Sequence, residues 1–275
     1  MLTLATSSDV LATAERDTAS ASDISFSNTV TLLSDYIYRG QSQTWGKPAL
    51  QYAVEMAHTS GMYGGLFVST VSNQWVPGAH VETDWYAGYR DNLPGAMSGI
   101  AYDLNLLYVY YPGGNFNKTG FVPRLQSSTP NATELSIALT HHWLTVKTGA
   151  VLTDFYGWNT NNSPLNGGFA GDPSAGVTGN TRGSWFLEAN TNWDLGSDWS
   201  VNGQIGQETI RHSQNLDWRY YKIGASKKMG NWTASLAYSA SSQPAAFRNF
   251  VGLTNNGSTY SPMRPRIVAT LSNSF

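Results

Sequence analysis

Few side chains in this 275-residue chain have the types and spacing that covalent chemistry requires. His212 and Ser213, with Asn215 close by, offer a base, a nucleophile and an orienting amide. A hydrolytic site needs such groups to converge on one reacting atom. Near neighbours in one short connection rarely converge, and the G-x-S-x-G nucleophile elbow is missing. His141 and His142 carry imidazoles, but adjacent residues on a strand point to opposite faces, so a turn pair is expected rather than a metal site. The chain has no Cys, which excludes disulfides and thiolate metal sites. Phosphate-loop, dinucleotide and EF-hand spacings are absent from the sequence. No catalytic residue, cofactor or metal is therefore expected.

The remaining chemistry is ionic, carried by Asp35, Arg39, Glu55, Glu82, Asp84, Arg90, Asp103, Glu134, Lys147, Glu188, Glu208, Lys222 and Arg266. Most fall on the polar phase of segments in which apolar and polar residues alternate. If the apolar phase faces lipid, a charge there costs about 2–4 kcal/mol at the bilayer midplane, so parity turns these side chains inward to line a lumen. Acids outnumber bases among them. Two readings follow. The charges pair across a narrow lumen, or an acidic lining favours cations and small polar solutes.

The elements that must hold these residues follow a period of two. Leu50, Tyr52, Val54 and Met56 alternate with Gln51, Ala53 and Glu55; Val81 to Tyr89 alternate with Glu82, Asp84 and Arg90; Trp232 to Tyr238 alternate with Thr233 and Ser235. The stretch Met62–Val71 is apolar on both phases, which leaves its facing open. About twelve such strands run from Ile24 to Phe275, each near the 9–11 residues that cross a bilayer at a tilt. Short connections rich in Gly, Asn and Asp alternate with long ones. The expected fold is all-β, a transmembrane antiparallel up-and-down β-barrel spanning residues 24–275. Its turns would be short and periplasmic and its loops long and extracellular, with both termini on the periplasmic side of a Gram-negative outer membrane. Residues 1–23 read as a disordered tail or the remnant of a signal peptide.

Composition agrees. Charged residues make up 12% and aromatics 13%, with a formal net charge of −2. That balance offers nucleic acid no electrostatic footing. The longest apolar run, Leu106 to Tyr111, falls far short of the roughly 20 residues a membrane helix needs. Tyr63, Tyr89, Trp143, Trp193, Trp199 and Trp232 sit beside short turns. Tyr36, Trp75, Tyr108, Tyr110, Tyr156, Trp158, Trp185, Trp218 and Tyr220 sit near long loops. Two such bands are expected to be girdles in contact with outer-membrane lipids. Phe275, in phase with Ile267, Ala269 and Leu271, resembles the terminal signal read by the barrel-assembly machinery, although Asn273 is polar where an apolar residue is expected.

Ser34-Asp35-Tyr36, Arg39-Gly40 and Ser42-Gln43, within the stretch Val30 to Gln43, resemble the first strand of the TorF-family porins, also called the Gcw_chp family. Pro48 to Gln51, Ser60 to Gly65, Asp84 to Tyr89 and Tyr110 to Gly113 resemble later landmarks. The likeness covers residues 24 to 115 well and is mainly architectural beyond. It implies an outer-membrane porin without an assigned substrate. Small polar solutes or ions passing through a narrow channel are the expectation. A non-conducting structural or adhesive barrel, plugged by side chains or by segment 157–182, is the alternative. An outer-membrane lipid hydrolase or a soluble β-protein stands further off.

Overall fold

The computed structural model describes residues 23–121, 123–166, 172–254 and 258–275. The tail expected over residues 1–23 lies outside the described residues except for Asp23. Twelve long strands form one closed antiparallel barrel. They are β1 (Ile24–Leu33), β2 (Ala49–His58), β3 (Met62–Thr70), β4 (Val81–Asn92), β5 (Ile100–Tyr110), β6 (Ala132–His141), β7 (Leu144–Val151), β8 (Trp185–Gly196), β9 (Trp199–Thr209), β10 (Trp218–Met229), β11 (Trp232–Ser241) and β12 (Arg266–Ser274). Each pairs with its neighbours in the chain, and β12 returns to β1. Closure pairs β12 with β1 from Thr29 to Leu33, so the sheet has no open lateral strand of the kind a hydrocarbon surrounding penalises. No helix among the described residues is long and apolar enough to cross a membrane.

One rim carries the tight connections 59–61, 93–99, 142–143, 197–198 and 230–231; the other carries segments 34–48, 71–80, 111–131, 152–184, 210–217 and 242–265. Turn chemistry explains the first rim. Gly61 has φ +94°, and a Cβ there would lie 2.3 Å from the Arg90 carbonyl oxygen, so only glycine fits. Three small two-stranded ladders dress the loop rim: Ile37–Tyr38 with Gln41–Ser42, Gly176–Val177 with Ser213–Gln214, and Phe250–Val251 with Thr259–Tyr260.

The expected alternation is realised strand by strand. Phe26, Leu32, Leu50, Ile223, Leu236 and Ile267 lie exposed on the outside, an apolar outer face of the kind that marks an interaction surface. The opposite phase is enclosed: Thr31, Gln51, Glu82, Asp84, Glu134 and Glu208 are all buried. In β3 the open facing is settled, with Tyr63, Phe67 and Ser69 enclosed and Met62 exposed.

Several aromatics depart from the girdle expectation. Tyr63 is buried inside the barrel, because its ring covers Gly88 on β4 and its hydroxyl donates to Asp103 at 2.5 Å. Trp218 and Tyr220 are buried as well, since the parity that turns Tyr221 outward on β10 turns them inward. Tyr36 escapes parity altogether, because β1 ends at Leu33 and the chain turns into the barrel. Tyr156 and Trp158 pack into the loop-rim core rather than onto a lipid face. Trp143, Trp193, Trp199 and Trp232 are exposed beside the tight turns, and Tyr89 is half-buried there.

The interior has two storeys. Toward the loop rim a packed core joins Tyr36, Phe116, Phe155, Trp218, Phe247 and Met263. Toward the turn rim the interior is polar, built from residues such as Glu55, Arg90, Asp103 and Asn105.

Candidate functional site

The core of the site is a hairpin that crosses the barrel. After β1, residues Ile37–Tyr38 pair with Gln41–Ser42 around a two-residue turn. Both turn residues have positive φ, Arg39 at 44° and Gly40 at 78°, the conformation that two-residue hairpins favour. Gly40 is required at the tip: a Cβ would lie 2.8 Å from the Tyr220 Cβ on β10. The hairpin leaves the β1–β2 edge yet touches strands on the far wall, so it occupies the cross-section of the lumen.

Arg39 anchors it. Its Nη1 donates to Glu208 Oε2 on β9 at 2.9 Å, and its Nη2 donates to Glu134 Oε1 on β6 at 3.0 Å. The guanidinium lies 3.5 Å from the centroid of the Phe186 ring on β8. The Arg39 carbonyl accepts from Trp218 Nε1 at 2.7 Å. A planar fork that pairs with two carboxylates and stacks on a ring is a role lysine does not reproduce. Burial alone would lower the guanidinium pKa; Glu134 and Glu208 outweigh it and hold it well above its ordinary value. Arg39 therefore stays charged, fixed between two acids.

Two further contacts hold the hairpin's base. Asp35 accepts from Ser42 Oγ at 2.6 Å, from Thr44 Oγ1 at 2.8 Å and from Arg266 Nη1 on β12 at 2.5 Å. Arg266 also donates to the carbonyls of Ser261 and Pro262. Tyr36 donates to Glu82 Oε1 on β4 at 2.8 Å and meets Phe67 edge-on. Asp84 is buried on the same face of β4.

The other charged residues form separate groups. On β2 to β5, Arg90 pairs with Glu55 and lies 4.2 Å from the centroid of the Tyr63 ring, whose hydroxyl joins Asp103 to Asn105. On β7 to β10, Glu188 accepts from Tyr220 Oη at 2.8 Å and from Asn190 Nδ2 at 3.1 Å. Glu188 stands opposite Lys147 in the β7–β8 register, and Lys222 stands opposite Gln204 on β9. Sequence reasoning named the acids and bases of all these groups. It did not find Phe186, Trp218, Tyr220, Gln41, Ser42 or Thr44 as their partners. The signal for the hairpin was present, since Ser34-Asp35-Tyr36, Arg39-Gly40 and Ser42-Gln43 are the residues that build it.

The residues weighed for catalysis stand apart. His212 Nδ1 lies 2.7 Å from the Asn180 carbonyl oxygen, Ser213 Oγ donates to Asp217 at 3.4 Å, and Asn215 Nδ2 donates to the Ser174 carbonyl at 3.0 Å. These are three different directions with no shared focus. His141 and His142 meet edge to face at the turn rim, 4.1 Å between centroids. Among the described residues no group of three or more His, Asp or Glu is placed to hold a metal ion. Phe275 exchanges backbone hydrogen bonds with Asn28, which extends the β1–β12 ladder at the turn rim.

A closed twelve-stranded antiparallel barrel, with an apolar outside and ionisable groups gathered within, defines the class of this protein as a porin-like β-barrel. The chain belongs to the bacterial protein family of unknown function Gcw_chp, which it matches over residues 17–275. No curated protein sequence matches it. Among solved structures it is similar to the KdgM porin in complex with disordered oligogalacturonate, at TM-score 0.48 and 9% identity over 91% of this chain and 98% of that one. It is similar to the NanC porin at TM-score 0.48 and 8% identity, over 91% and 99% of the two chains. It is also similar to OccAB1 of Acinetobacter baumannii, at TM-score 0.41 and 10% identity over 83% and 58%. The barrel described above rests on its own hydrogen-bonded register.

Proposed function

We propose that the protein is an outer-membrane channel for small polar solutes or ions, held closed at rest by the hairpin of segment 34–48. The exposed apolar belt supports a place in a bilayer. The alternation of short turns and long loops supports periplasmic turns, with both termini on that side. The charged residues from Asp35 to Arg266 line the interior in this reading. The observation that carries closure is Arg39, which bridges β6 and β9 across the lumen with both partners buried. In this reading the plug is the first loop; segment 157–182, the sequence-based candidate, also packs into the loop-rim core through Trp158, Ala175 and Val177, and its residues 167–171 lie outside those described. A second reading is favoured by the packed aromatic core at the loop rim. In it the barrel never conducts and serves as a structural or adhesive component.

Planar-bilayer recording separates the two. The wild-type barrel is expected to be silent or to open briefly, and Arg39→Ala to give frequent, long openings. A folded Arg39→Ala barrel that never conducts would overturn the channel reading and leave the structural one.

A further inference from the structure

A cavity of about 470 Å³ lies at the loop rim beside the hairpin. That volume falls within the range of small-molecule sites. Its walls are the rings of Trp75, Phe155, Trp158, Trp218 and Phe250. Polar side chains break the apolar lining, among them Gln41 on the hairpin and Glu208 on β9. Both are almost wholly buried, at 6% and 0% exposure. Each presents an atom without a hydrogen-bond partner: Gln41 Nε2, a donor, and Glu208 Oε1, an acceptor. Leaving such atoms unmade is costly, roughly 1–3 kcal/mol each and more for a charged group. Their presence together in one cavity points to something that completes them.

Charge narrows the choice. Glu208 is the single acidic or basic side chain among the described residues lining the cavity. Its other oxygen is already taken by Arg39, which also serves Glu134. One guanidinium thus serves two carboxyl groups, and Glu208 Oε1 has no partner of its own. Aromatic rings around an acidic group are the arrangement that receives organic ammonium ions, through the negative faces of the rings.

We propose that this cavity binds a small organic cation: an ammonium group on Glu208 Oε1, an apolar or aromatic body among the rings, and an oxygen that accepts from Gln41 Nε2. An aromatic amino alcohol carries all three features. The site stands whether or not the barrel conducts, because it is complete with the hairpin docked.

The test uses three probes with one skeleton: phenylethanolamine as the cation, styrene glycol as the neutral diol and mandelate as the anion. Each is titrated into the full barrel in lipid nanodiscs, read by calorimetry and by tryptophan fluorescence. Phenylethanolamine is expected to bind once per barrel, about tenfold or more tighter than the glycol, and mandelate more weakly still. Glu208→Gln is expected to abolish the preference for the amine. Should that variant fail to fold, Val251→Trp fills the cavity wall without touching the ion pairs and is expected to abolish binding. Mandelate binding as tightly as the amine, amine binding unchanged in the folded variants, or no binding of any probe at millimolar concentration would each overturn the proposal. None of these outcomes depends on conductance.

Discussion

Removing the Arg39 guanidinium tests whether the hairpin is held by charge or merely fills space. In Arg39→Met the stem's packing is retained, but Glu134 and Glu208 face each other without their shared partner. Breaking a buried ion pair by deleting one side costs about 3–5 kcal/mol, because the stranded charge remains desolvated. Since about 1.4 kcal/mol is a factor of ten, the docked state should lose roughly two to three and a half decades of its equilibrium advantage. The assay is hydrogen exchange of the amides that docking protects: Gln43 N–H, which donates to the Tyr36 carbonyl at 2.7 Å, and Ser42 N–H, which donates to the Pro262 carbonyl at 2.9 Å. Their exchange should accelerate by at least a hundredfold in Arg39→Met, while barrel amides such as Leu66 and Leu106 stay protected. Adding Glu134→Gln and Glu208→Gln to Arg39→Met removes the stranded charges and should restore much of the protection. Unchanged exchange in the single variant, or a triple variant no better than the single one, would refute the ionic account.

Other consequences can be measured directly. A Cβ at Gly206 would lie 2.3 Å from the Tyr220 ring. Gly206→Ala should therefore displace that ring from Glu188 and cost about 1–3 kcal/mol of stability in denaturant titration; a neutral effect would show that the ring is free to move. Leu236→Arg, on the exposed belt of β11, should cost about 2–4 kcal/mol for folding into vesicles, and a cost near zero would place that face away from the hydrocarbon. In single-tryptophan variants, brominated lipids should quench Trp193 and Trp232 but not Trp218; equal quenching would contradict the inward facing of β10.

The barrel was legible in the sequence because its cause is local. A strand turns alternate side chains to opposite faces, so Val81 to Arg90 declares both its lipid phase and its lumen phase. Inward charges were legible for the same reason, since Glu82, Glu134 and Glu208 each sit on the polar phase. Aromatics were less so. Tyr63 and Tyr220 are large enough to serve either side, and what decides is a glycine on the next strand, Gly88 or Gly206, that makes room for the ring. The residues that build the hairpin stood out in the sequence, but their docking across the barrel was not legible. Its contacts join Asp35 to Arg266 and Arg39 to Glu208, separations of 231 and 169 residues, and periodicity carries no information at that range.

The seam between β1 and β12 is short. It runs from Thr29↔Ser274 to Leu33↔Thr270, against Ile24↔His58 to Leu33↔Ala49 on the other side of β1. Its loop-rim end continues through Ser34, whose N–H donates to the Ala269 carbonyl, and then through the ion pair of Asp35 with Arg266. Those two residues belong to the base of the hairpin and to the first position of the last strand. The final zipping of the barrel and the docking of the hairpin thus share one fastening. In a chain that assembles its strands in order, folding the first loop inward adds the Asp35–Arg266 pair to the backbone bonds that latch the last strand. A loosened hairpin would in that sense be felt as a weaker seam in the wall.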